Sequence, residues 1–195
     1  MPEVELPNTE ELEEIRSKQF TRRVALTTAI FAVILAITSL GGNNAMKEML
    51  LAQQQSSDQW AFYQSKVIRE HFYKIEKMRI EADLYQRVAS MKPGVREKHE
   101  TMLRTISNEE LRYNVEKKKI EQDAKDLEHE RDINRSKDPY FDYAEVLLQI
   151  SIVMASISIL AVSRYMFYFA LIAAGSGSVF MLNGYLLIFR IPFFH

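Results

Sequence analysis

The chain has 195 residues, no cysteine, and 25 basic against 26 acidic side chains. Without cysteine there is no disulfide, no thiolate metal site and no thiol nucleophile. Residues 43–140 hold 19 basic and 18 acidic side chains, so the one-sided basic surface that nucleic acid requires is missing and no nucleic-acid partner is expected.

Mean hydropathy is -0.19, but that average hides a segregated charge pattern. Residues 24–42 carry no ionisable side chain, and residues 146–189 carry only Arg164. The first 23 residues form an amphipathic tail. Asn8 can cap a helix with Glu11 at its third position. Acids then precede bases in the order the helix dipole favours, and Leu12, Ile15 and Phe20 give a weak apolar stripe.

Residues 24–42, "VALTTAIFAVILAITSLGG", are the first expected transmembrane helix. At ~1.5 Å per residue they span roughly 28 Å, close to a hydrocarbon core of ~30 Å. A cleaved signal peptide fits poorly, because six acids precede the run.

Residues 43–140 read as an extramembrane antiparallel hairpin. The only proline and glycine between Asn43 and Ser136 are adjacent, Pro93 and Gly94, which predicts helices over 44–91 and 95–135 with a turn at 92–95. A 3–4 spacing selects Ala61, Gln64, Ile68, His71, Ile75, Met78, Ala82 and Tyr85 on the first helix. The same spacing on the second selects Leu127, Ala124, Ile120, Lys117, Tyr113, Glu110, Ile106 and Leu103. Paired about Gly94, the rows form an antiparallel coiled-coil contact line. Two of its layers are polar, His71 with Lys117 and Met78 with Glu110, and such layers can fix register.

Near the first span the same frame sets Ser57 against Arg131, Gln54 against Asn134 and Leu50 against Asp138. A polar line of this kind cannot make a dry two-helix core. The segment "QQQSSDQWAFYQ" therefore offers oligomer or pore contacts: Gln53, Gln54, Ser57, Asp58, Trp60, Tyr63 and Gln64.

Residues 144–162 and 165–189 are the second and third expected spans, separated by Ser163 and Arg164 and followed by a short tail at 190–195. Glu145 and Gln149 lie one turn apart and join the candidate oligomer or pore contacts. Small residues allow close helix approach in lipid; here they are Ser151, Ala155 and Ser158 on the second span, and Ala174, Gly177 and Ser178 on the third. Arg16, Lys18, Arg22 and Arg23 flank the first span and Arg164 lies between the last two. The positive-inside rule sets all five, with the N-terminus, in the cytoplasm and the hairpin outside.

The stretches "SSDQWAFYQSKVIREHFY" and "FDYAEVLLQISIVMASISIL" resemble the DUF4337 family of uncharacterised bacterial membrane proteins. The matching residues are Ser57 to Trp60, Tyr63, Gln64, Lys66, Ile68, Arg69, Asp142, Ala144, Glu145 and Ile150. The resemblance implies a bacterial inner-membrane protein with three spans and a central coiled coil. It implies no activity.

The expected fold is thus an all-α integral membrane protein, with three transmembrane helices and a long antiparallel coiled-coil hairpin between the first and second. Neither a catalytic constellation nor a cofactor or metal site is expected; the four histidines lack helical His or Cys partners. The expected function is non-enzymatic scaffolding by a homo-oligomer in the bacterial inner membrane. The alternatives are an oligomeric channel or transporter ringed by the Gln/Ser-rich segment and Glu145, and an accessory subunit of a larger membrane complex. The expected partners are further copies of the chain and the lipid bilayer.

Overall fold

The computed structural model describes residues 9–87 and 89–189, with side chains from residue 14 onward. The Asn8 cap and the 190–195 tail lie outside the described residues. Three helices follow one another: α1 over Thr9–Arg87, α2 over Pro93–Leu160 and α3 over Arg164–Leu186. All three are long and apolar enough, over part of their length, to cross a membrane.

Proline placement fixes the break between α1 and α2. Proline suits the first helical position, because that residue's missing N–H would have had no partner there. It also drives the preceding residue out of helical conformation. Pro93 accordingly opens α2, with the Val95 and Arg96 amides donating to the Lys92 carbonyl at 3.0 and 3.1 Å. The Ser90 and Met91 amides close α1 on the Arg87 carbonyl at 3.0 and 3.1 Å. Among the described residues the reversal therefore occupies 89–92, ahead of the expected 92–95, because Pro93 begins a helix instead of sitting inside the turn. Pro139, by contrast, lies within α2.

The chain forms two compact units, Leu50–Asp132 and the remainder. In the unit formed by the chain's two ends, Val24, Phe31, Leu148, Ala155, Ala170 and Ala174 make the core. Along α1 the buried residues Val24, Phe31, Thr38 and Ala45 recur every seven positions, the interval that keeps one helix face on its neighbours. Phe141 is a wedge: its ring meets Tyr185 edge-on at 5.0 Å and lies against Gly41 and Gly184. The outward side chains of this unit are apolar too, among them Leu26, Ile30, Val33, Val153, Ile157, Ile172 and Val179.

In the Leu50–Asp132 unit, rising numbers on α1 meet falling numbers on α2, as a hairpin requires. Trp60 meets Glu128, Lys66 meets Glu116, Tyr73 meets Tyr113 and Lys77 meets Glu110. The α2 row is the expected one: Ile106, Tyr113, Ile120 and Ala124 are buried, with Leu103, Glu110, Lys117 and Leu127 half-buried.

The α1 row is not the expected one. Ala61, Gln64, Ile68, His71, Ile75, Met78 and Tyr85 are exposed, and so is Ala82. The inward row instead runs through Ala52, Ser56, Tyr63, Lys66, Glu70, Tyr73, Lys77 and Ile80. From Tyr63 to Ile80 each member of the inward row lies two residues beyond a member of the expected one, about 200° of helix rotation. The polar layers change with it. Lys117 pairs with Glu70 and not with His71, and Glu110 pairs with Lys77 in place of the Met78 layer. The physical reason is charge: Glu110, Glu116 and Lys117 on α2 find counter-ions across the hairpin in Lys77, Lys66 and Glu70 of the inward α1 row.

Candidate functional site

The chemistry-bearing residues of the Leu50–Asp132 unit lie in a line between α1 and α2. At one end the Ser56 hydroxyl donates to the Ala124 carbonyl at 3.4 Å, and Arg131 donates to the Gln53 side-chain carbonyl at 3.1 Å. The Trp60 indole N–H donates to Glu128 at 2.9 Å, while its ring meets Tyr63 edge-on at 5.4 Å. The next layers are ionic. Lys66 Nζ lies 2.6 Å from Glu116 and 5.2 Å from the centre of the Tyr113 ring, which stacks on Tyr73 at 5.5 Å.

Glu70 is the most deeply buried acid here, 7% exposed. It accepts from Lys117 and, at 2.8 Å, from the Asn114 amide. Burial pushes its carboxyl pKa up, but the Lys117 and Asn114 hydrogen bonds and the Lys117 charge outweigh burial and hold it below the ordinary carboxylate value. The Lys66 hydrogen bond likewise holds Glu116 low, against burial. Further along, Lys77 and Glu110 pair at 2.9 Å. Among the described residues no buried side-chain nitrogen or oxygen lacks a partner. Such a line can fix which residue faces which.

The candidate contacts of the Gln/Ser-rich segment divide between two faces. Trp60 and Tyr63 are half-buried toward α2, whereas Gln54, Ser57, Asp58 and Gln64 are exposed, with Gln54 donating to Asp58 at 3.2 Å. Glu145 and Gln149 belong to the other unit, where the Gln149 amide donates to Glu145 at 3.2 Å.

The small residues of the apolar helical segments sit at packed positions. Ser151, Ala155 and Ser158 are fully buried, each serine donating to a carbonyl three residues back at 2.7 Å. Ala174 and Gly177 are buried and Ser178 is half-buried. A Cβ added at Gly177 would stand 3.1 Å from the Ala144 carbonyl oxygen. That is tighter than ordinary van der Waals contact, so the helices pass closely at Gly177.

The family model for a domain of unknown function, DUF4337, matches residues 20–187. The chain belongs to the DUF4337 family. The match takes in all three apolar helical segments and the whole Leu50–Asp132 unit of this DUF4337 chain. No curated protein and no solved structure matches it.

Sequence reasoning missed Lys66, Glu70, Tyr73, Lys77, Asn114 and Glu116 as members of the line. A signal was available. Of the two seven-residue rows on α1, two residues apart, one complements the charges of α2, and complementarity should have outweighed apolar content.

Proposed function

We propose that this DUF4337 protein is a non-enzymatic, homo-oligomeric protein of the bacterial inner membrane. Its three apolar helices span the bilayer, and its antiparallel coiled-coil hairpin forms an extracytoplasmic stalk that organises partners. The membrane part of this reading is supported by helices that are apolar on both their packed and outward faces. In water such outward faces would be a large aggregation-prone surface; in lipid they are at home.

Self-association is carried by one observation. The apolar α1 row with coiled-coil spacing faces outward: Ile68, Phe72 and Ile75 are each more than 60% exposed. They recur at intervals of four and three, the spacing of a helix contact stripe. Leu111 and Val115 on α2 are equally uncovered. Because copies anchored in one membrane share an orientation, the stripe of one can lie against that of the next. A channel would need the same assembly with water along its axis; an accessory subunit would need one copy docked on a different protein.

The test is the particle mass of the detergent-solubilised chain, for the parent and for Ile68→Asp with Ile75→Asp. A charge on this stripe removes apolar contact and adds like-charge repulsion between copies. The parent is expected to run as a multiple of 22.7 kDa above the micelle and the variant to fall to one copy. A parent that is already one copy contradicts self-association.

A further inference from the structure

The α1 residues that precede the first apolar run share one face. Arg16, Phe20 and Arg23 are spaced by four and three, so their side chains follow one another up the helix. The start of α3 supplies Arg164, Phe167 and Tyr168. With Gln19, these six residues line a cleft of about 220 Å³. Its two walls meet through Phe20 and Phe167, edge-on at 6.0 Å. An adjoining hollow of about 370 Å³ shares Arg16, Phe20 and Arg164.

The charge balance of the cleft is one-sided. Lys18, close by, is neutralised by Glu14 at 2.6 Å. Arg16, Arg23 and Arg164 have no carboxylate partner among the described residues. Three guanidiniums that line one cleft from two helices repel one another. A ligand with a tetrahedral anion relieves that repulsion and accepts the paired N–H donors that guanidinium presents. The aromatic rings narrow the choice. Phosphate alone has no use for Phe20 and Phe167, whereas the glycerol and first acyl carbons of a lipid do. The cleft also stands at the end of the apolar run of α1, the depth at which headgroups lie and tyrosines such as Tyr168 collect.

We propose that this cleft is a binding site for the phosphate of an anionic phospholipid, clamped by Arg16, Arg23 and Arg164, with its acyl chains leaving past Phe20 and Phe167. The site rests on the membrane reading and is independent of self-association. A lipid held between α1 and α3 ties the two helices at one end.

The experiment is native mass spectrometry of the full-length chain in mild detergent, supplied with phosphatidylglycerol or phosphatidylcholine in equal amounts. The parent is expected to retain phosphatidylglycerol about fivefold or more over phosphatidylcholine, since the first is a net anion and the second a zwitterion, and each basic side chain near anionic lipid contributes about fivefold. Arg23→Gln with Arg164→Gln is expected to bring that ratio close to one, and Lys18→Gln to leave it unchanged. Equal retention of the two lipids by the parent overturns the site without any variant being needed. Loss of preference with Lys18→Gln as large as with the arginine pair overturns it in favour of diffuse surface charge. Displacement of phosphatidylglycerol by excess inorganic phosphate overturns the lipid as source. Whether the chain stays in the membrane pellet after an alkaline wash is read separately, so failure of the site and failure of the membrane reading are told apart.

Discussion

Glu70 shows how single residues set the register of the hairpin. A carboxylate removed from water is costly unless every lone pair is used, and Glu70 uses both oxygens, one on Lys117 and one on Asn114. Truncating one partner leaves the other charge stranded. Glu70→Ala is therefore expected to lower the stability of the hairpin by roughly 2 kcal/mol, less than the ~3–5 of a fully buried pair because Lys117 keeps some contact with water. Glu70→Met together with Lys117→Met is expected to recover most of that loss. Thermal unfolding of the three chains checks both. The pH dependence has a definite sign. Because the folded carboxyl lies below its ordinary value, Glu70 adds stability above the unfolded carboxylate range and loses it as pH falls through the folded value. Below that range, parent and Glu70→Ala should converge.

At the scale of elements, glycines decide how closely the apolar helices approach. At Gly41 a Cβ would stand 2.5 Å from Tyr185 Oη and 2.7 Å from Phe141 Cε1. The Tyr185 hydroxyl is already committed to the Ile37 carbonyl at 3.1 Å, and the Phe141 ring is wedged against Gly184. Gly41→Ala should thus lower stability in detergent by about 1–3 kcal/mol, as overpacking does. Gly175 has open space where a Cβ would stand, so Gly175→Ala should be neutral or slightly stabilising. A pair of melting curves distinguishes the two sites.

The same scale explains what could be read in advance. The three apolar helical segments were plain because charge is excluded from residues 24–42 and almost so from 146–189. The α2 row was plain because Ile106, Tyr113 and Ile120 stand seven apart with no apolar rival. On α1 two rows two residues apart both fit a seven-residue repeat. The richer in apolar residues, with Ile68 and Ile75, faces out, while the row with Lys66, Glu70 and Lys77 faces in. Hydrophobicity ranks these rows in the wrong order, since the partner helix is itself charged. The turn was misplaced for a related reason: Pro93 and Gly94 look like a turn in isolation, yet a proline is equally suited to begin a helix.

For the whole molecule, the central claim is that the chain crosses a membrane three times and carries its charged hairpin on one side. The chain has no cysteine of its own, so an introduced thiol reports its own position without background. Lys92 is exposed at the α1–α2 reversal, and Arg164 is exposed at the start of α3. In sealed membranes of one orientation, Lys92→Cys and Arg164→Cys should react with a membrane-impermeant maleimide from opposite faces, the first from outside and the second only after the cytoplasmic face is opened. Labelling of both from the same face contradicts the account.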